Sequence, residues 1–156
     1  MSAPEPEQKS AGRPILFATD FSAFSEPALE AAIGEARDRN AELVIAHVYP
    51  PPAKSAIDDV FVPGLSGEIE AATCDQAIRR LEPLLLRARK AGVSARALAL
   101  EGSPERMVLE SARSLDAALV VIGTHGRQGV RRLLLGSVAA KIVAGSPCPV
   151  LTVRPA

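Results

Sequence analysis

The sequence predicts an α/β fold, a parallel sheet covered by helices on both faces. Short apolar runs alternate with stretches of helical periodicity from about residue 13 to the end of the chain. The runs are apolar at consecutive positions, as buried strands of a parallel sheet are, and the alternation implies right-handed crossovers. At 156 residues the chain can bury roughly two thirds of its unfolded surface in one core, and no break divides it into two domains.

The elements follow in order. Residues 1 to 12 are rich in Pro, Glu, Ser and Gln with almost nothing to bury, and are expected to be a disordered tail ahead of one domain over 13–155. Ile15 to Thr19 form the first strand. Ser25 caps the first helix, Pro27 is tolerated in its first turn, and Leu29, Ala32, Ile33 and Ala36 line one face. Glu42 to Val48 is the second strand. The connection from Tyr49 to Gly67 carries Pro50, Pro51, Pro52, Pro63 and Gly64, a length usual for functional lids or mobile segments. A helix then runs to about Ala91 with Ile78, Leu81, Leu85 and Ala88 on one face. Pro83 is expected to kink or split it, since an interior proline costs about 3 kcal/mol.

Ala95 to Leu100 is a weaker third strand. Ser103 and Pro104 start the next helix, which turns Met107, Val108 and Ser111 inward and ends near Ser114. Ala118 to Ile122 is the fourth strand, about Gly136 to Ala144 the last helix, and Pro149 to Val153 the fifth strand.

Composition narrows the function classes. The chain is 47% hydrophobic but only 3% aromatic, so the core is aliphatic, and with no Trp and one Tyr there is no aromatic platform for single-stranded nucleic acid. Eighteen basic and eighteen acidic residues cancel, which argues against nucleic acid or an anionic membrane as partner. No run reaches the roughly twenty apolar residues of a membrane span, and the first residues lack a signal-peptide pattern. Cys74 and Cys148 show neither CxxC nor metal-ligand spacing and are expected to be reduced thiols, in keeping with a cytoplasmic protein.

Chemistry concentrates in one segment. Gly123-Thr124-His125-Gly126, nine residues, then Gly136-Ser137-Val138 lies between an apolar strand and a helix. Strand, glycine loop and helix start form an anion-binding layout, because glycines let the backbone approach a ligand and free N–H groups at a helix start favour a phosphate. Glycines at such turns are also plain connectors, some needing positive φ, and Ser137 also reads as a helix N-cap. The residues alone leave both readings open.

That spacing resembles the nucleotide-binding signature of the universal stress protein family. Phe17-Ala18-Thr19-Asp20-Phe21-Ser22 is similar to that family's first-strand end, His47-Val48 to its second-strand end, and Pro147-Cys148-Pro149-Val150-Leu151-Thr152-Val153 to its last strand. The resemblance implies a Rossmann-like open sheet of strand order 3-2-1-4-5. Ligands bind such sheets at the carboxyl ends of strands where the winding reverses, here between strands one and four.

The resemblance also implies roles. Ala18 and Thr19 would line a wall of the site. Asp20 would contact ribose or adenine, although a carboxylate there also suits a divalent cation, an Asx-turn or a cap. Val48 would hydrogen-bond adenine through its backbone and Ile122 would pack on the ring. Gly123 and Gly126 would let the loop approach ribose and phosphates, while Gly136, Ser137 and Val138 would offer N–H groups to the phosphates. Of Arg127, Arg131 and Arg132, which otherwise form a solvated basic face, Arg127 is the first choice to clamp phosphate. His125 reads as an exposed loop residue and His47 as a satisfied strand-end histidine.

The chain holds no P-loop, no Rossmann Gly-x-Gly-x-x-Gly, no nucleophile elbow, no metal triad and no catalytic carboxylate pair. The expectation is therefore an ATP-binding stress-response module, with or without Mg2+ or Mn2+, that regulates or protects and hydrolyses slowly at most. One alternative is an interaction module whose site is empty or takes another adenine nucleotide such as cyclic AMP. Another is an enzyme with a second pocket under the 50–66 loop, for which the sequence shows no chemistry. The resemblance further implies a homodimer formed through the apolar fifth strand, an exposed edge of the sheet.

Overall fold

A computed structural model describes residues 12–51, 65–124 and 135–155. Five parallel strands, β1 (Gly12–Ala18), β2 (Ala41–Tyr49), β3 (Ala95–Glu101), β4 (Leu119–Gly123) and β5 (Val150–Val153), form one sheet in the order β3-β2-β1-β4-β5. The helices are α1 (Glu26–Asp38), α2 (Leu65–Lys90), α3 (Pro104–Ser114) and α4 (Ser137–Gly145), with a 3-10 turn at Ala23–Ser25. The expected α/β class and strand order are both present.

Two apolar layers sandwich the sheet. Alternate residues of the strands point to opposite faces, so Ile15, Phe17, Leu43 and Ile45 meet α1 and α2, whereas Leu16, Val44, Ala46, Val120 and Ile122 meet α3 and α4. Because both faces are covered, β1, β2 and β4 can be apolar at nearly every position. Phe17 lies at the centre, paired in register with Ile45 on one side and Val121 on the other, and all three are fully buried.

Several local expectations are corrected. Gly12 already belongs to β1, where it pairs with Ala41, so the domain begins a residue earlier than the expected tail allowed. β1 ends at Ala18, leaving Thr19 in the turn that follows. Helix α2 begins at Leu65, inside the stretch expected to be a loop, and runs unbroken through Pro83. Pro83 sits on the exposed side, while Ala77, Leu81, Leu85 and Ala88 bury the opposite face, so packing outweighs the proline's cost. Ile78 was expected on that face, but at 36% exposure it lies at its margin.

Neither Ser25 nor Ser103 caps its helix through its side chain. Ser25 spends its hydroxyl elsewhere, as described below. Arg87 of α2 pairs with both Glu26 and Glu30 of α1, tying the two helices of one layer together, and the Glu26 hydrogen bond leads the causes that raise its pKa. Among the described residues no helix is long and apolar enough to cross a membrane.

Candidate functional site at the carboxyl ends of β1, β2 and β4

The strand order places β1 between β2 and β4, and the register aligns Ala18 with Ala46 on one side and Ile122 on the other. Residues following these positions emerge side by side at one end of the sheet, where β1 leads toward one edge and β4 toward the other. Ala18, Val48 and Ile122 all pack toward the α3–α4 layer, which also receives Ala139 from the first turn of α4. The described apolar residues expected at the site therefore share one face and one end of the sheet with that helix start. Ile122 is deeply placed, 4% exposed, while Ala18 and Val48 are half-buried.

The two halves of the glycine segment meet through Thr124. Its N–H donates to the Val153 carbonyl of β5 (3.0 Å), and its own carbonyl accepts the N–H of Gly136 (2.8 Å). Thr124 is 3% exposed. The start of α4 is thus tied directly to the end of β4.

Gly136 is the residue before α4, with φ −58° and ψ 155°, and its carbonyl accepts the first helical bond from Ala140 (2.8 Å). Ser137 is therefore the first helical residue and not the cap, and α4 has no side-chain cap. The N–H groups of Ser137, Val138 and Ala139 precede the first possible intrahelical acceptor, and no described residue accepts from them. The positive-φ reading, made for Gly123 and Gly126, fails for Gly123, and Gly126 lies outside the described residues. Gly123 continues β4, pairing with Val153, and Gly136 has an ordinary φ; the described glycines with positive φ are Gly92 and Gly102.

The wall formed by residues 19–22 is a hydrogen-bonded turn. The Phe21 N–H donates to Thr19 Oγ1 (3.0 Å), and Thr19 Oγ1 lies 2.9 Å from Ser25 Oγ. Ser25 Oγ donates its single hydrogen to the Ser22 carbonyl at 2.8 Å, so Thr19 must be the donor in the hydroxyl pair. Asp20 is half-buried and accepts the Ser22 N–H at Oδ1 (3.0 Å), which makes it an Asx-turn residue whatever else it does.

His47 is buried at 9% exposure, and its Nδ1 lies 2.8 Å from the Thr19 carbonyl. This is the satisfied histidine expected, with its bond directed at the turn beside Asp20. Sequence reading missed three contributors: Thr124 as the link between loop halves, Phe21 stacked on His47, and Arg80 of α2 above Phe21. A threonine between two glycines was a signal for the first. Arg80 offered none, because only the docking of α2 brings it there. Further along β2, burial and then the neighbouring Cys74 raise the Tyr49 phenol above its usual pKa.

Gly126 and Arg127, with His125, Arg131 and Arg132, lie outside the described residues, as does the 52–64 part of the long connection. Among the described residues no group of three or more His, Cys, Asp and Glu gathers to hold a metal ion.

Residues 12–154 match the model of the universal stress protein family. The chain belongs to that family. The universal stress protein YxiE of Bacillus subtilis is 34% identical over 144 residues, spanning 90% of this chain and 97% of YxiE. A solved universal stress protein from Archaeoglobus fulgidus, described as a complex with dAMP, is 26% identical, covers 90% of this chain and 97% of its own, and superposes with a TM-score of 0.64. Another universal stress protein structure, described as a complex with cAMP, is 29% identical with a TM-score of 0.66, covering 94% of this chain and all of its own (100%). This universal stress protein therefore shares its Rossmann-like architecture with relatives whose solved complexes hold adenine nucleotides.

Proposed function

We propose that this universal stress protein binds ATP at the carboxyl ends of β1, β2 and β4, and that it acts as a nucleotide-dependent regulatory or protective module with slow hydrolysis at most. The start of α4 carries this reading. Gly136 has no conformational need to be glycine, yet it opens a helix whose first N–H groups have no described acceptor, anchored by Thr124 beside the Asp20 turn. N–H groups at a helix start favour a phosphate, and the absence of a Cβ at Gly136 lets one approach.

On this reading Ala18, Thr19 and Asp20 line the ribose and adenine wall. Val48 presents its backbone to adenine, Ile122 underlies the ring, and Gly123, Gly126, Gly136, Ser137 and Val138 cradle the phosphates with Arg127 beside them. Mg2+ or Mn2+ would enter with the phosphates, with Asp20 as the carboxylate of the described wall. The dAMP and cAMP complexes of the relatives favour a second reading, in which a monophosphate or cyclic adenine nucleotide is the resident ligand.

Denaturing the freshly purified protein and identifying the released small molecules by mass spectrometry separates these readings. ATP or ADP is expected; AMP or cyclic AMP points to the second reading. No nucleotide released, together with no calorimetric signal on adding ATP or cyclic AMP, would sink both.

The β5 edge supports the proposed homodimer. All four of its residues are half-buried, Val143 of the adjacent α4 is 45% exposed, and among the described residues no strand pairs with the outer side of β5. Light scattering at micromolar concentration is expected to return twice the 16.3 kDa chain mass, and a monomer mass rejects the dimer. The module is proposed to work in the cytoplasm.

A further inference from the structure

The turn that carries Asp20 contains two unfavourable features. Phe21 has φ 61°, in the left-handed region that bulky side chains rarely adopt, and the Ser22 hydroxyl is buried with no hydrogen-bond partner among the described residues. Such features persist where surrounding contacts over-determine the conformation, and they cluster at sites whose geometry matters. Beside the turn's own hydrogen bonds and those to Ser25, two other elements hold it.

From β2, His47 presents Nδ1 to the Thr19 carbonyl at 2.8 Å. A carbonyl only accepts, so Nδ1 carries the hydrogen. The same imidazole lies against the Phe21 ring, centroid to centroid 4.3 Å with the planes tilted by 43°. From α2, the Arg80 guanidinium carbon sits 4.0 Å from the centroid of the Phe21 ring. Phe21 is therefore held by two neighbouring groups, one aromatic and one cationic, while His47 also grips the backbone two residues before it.

Side-chain direction adds a reason for this arrangement. Phe21, and His47 two positions after Ile45 in β2, belong to the α1–α2 face of the sheet, whereas Ala18, Val48 and Ile122 belong to the opposite face, where the nucleotide is proposed. A group on the far face can shape the wall without occupying ligand space.

We propose that His47 is a positioning residue for the nucleotide wall, fixing the 19–22 turn and hence the Asp20 carboxylate through its Nδ1–H bond to Thr19, with the Arg80–Phe21 stack closing it from α2. This rests on the nucleotide-binding reading above. His47 touches no ligand on this account; it sets the conformation that the ligand meets.

The test compares two variants with the wild-type protein. His47→Phe keeps an aromatic ring for Phe21 and removes the donor, whereas His47→Asn places an amide N–H near the position of Nδ1. His47→Phe is expected to stay folded, to speed hydrogen exchange of the Phe21 and Ser22 amides, and to weaken ATP binding by calorimetry, each about tenfold, the change in equilibrium that one hydrogen bond makes. His47→Asn is expected to recover most of both.

Unchanged exchange in His47→Phe overturns the proposal whether or not nucleotide binds. Accelerated exchange with undiminished affinity overturns it as well. Should His47→Phe fail to fold, the wild-type protein still decides: nitrogen NMR of the imidazole is expected to show hydrogen on Nδ1, and hydrogen on Nε2 alone rejects the bond. Wild-type protein that binds no nucleotide counts against the functional reading instead, and leaves the exchange result to judge the turn.

Discussion

Gly136→Val is expected to weaken ATP binding by at least about a hundredfold, a loss of about 2.8 kcal/mol, while leaving the fold in place. The backbone at residue 136, φ −58° and ψ 155°, is open to any L residue, so valine brings no conformational strain. It does place a branched side chain at the mouth of α4, where the proposed phosphate must meet the N–H groups of residues 137–139. The N-cap changes from Gly to a poorer cap, which costs on the order of 1 kcal/mol of helix stability. Calorimetric titration with ATP, beside a thermal melt of each protein, reads both quantities. Affinity equal to wild type would remove the helix start from the site, and a collapse of the melt would mean that Gly136 serves packing instead.

The second large effect belongs to the core. Phe17→Ala is expected to destabilise the protein by about 3 to 5 kcal/mol, measured as a fall in the urea midpoint with an unchanged slope. Phe17 is fully buried on the central strand, between Ile45 and Val121, and faces the layer built by α1 and α2. Strands on both sides prevent the sheet from collapsing into the space left behind. Single domains are stable by only about 5 to 15 kcal/mol, so this one side chain decides a large share of the total. A loss under about 1 kcal/mol would show that the layer repacks freely.

Much of the fold was legible because buried parallel strands are written as unbroken apolar runs. Val44 to Ala46 and Leu119 to Ile122 have no polar residue and were read as strands to within a residue or two of their observed ends. Helix α3 was read correctly from Pro104 to Ser114, because a proline at the first helical position marks a start. Pro83 was misread for the complementary reason. A proline's cost is local and visible in sequence, whereas the burial of Leu81, Leu85 and Ala88 that offsets it depends on α2 docking against the sheet.

Capping shows the same divide. Ser25 and Ser103 occupy N-cap positions, as the sequence suggested, yet neither side chain caps. At Ser25 the hydroxyl donates to the Ser22 carbonyl at 2.8 Å and accepts from the Thr19 hydroxyl at 2.9 Å, so the turn engages the oxygen that would have capped the helix. The glycines illustrate a gain from structure. Sequence could not separate a glycine needed for positive φ from one needed for space, and the ordinary φ of Gly136 removes the first reason there.

The amino-acid sequence by itself determined the class of fold and the family signature, because periodicity and motif spacing are properties of neighbours along the chain, and the family resemblance then implied the residues proposed to hold the nucleotide. Only the tertiary structure decided that Ala18, Val48 and Ile122 share a face, that Thr124 joins the two halves of the glycine segment, and that His47, Phe21 and Arg80 stack behind the Asp20 turn. Those pairings join residues from different strands and helices, and contacts between distant segments exist only once the sheet order and register have brought them together.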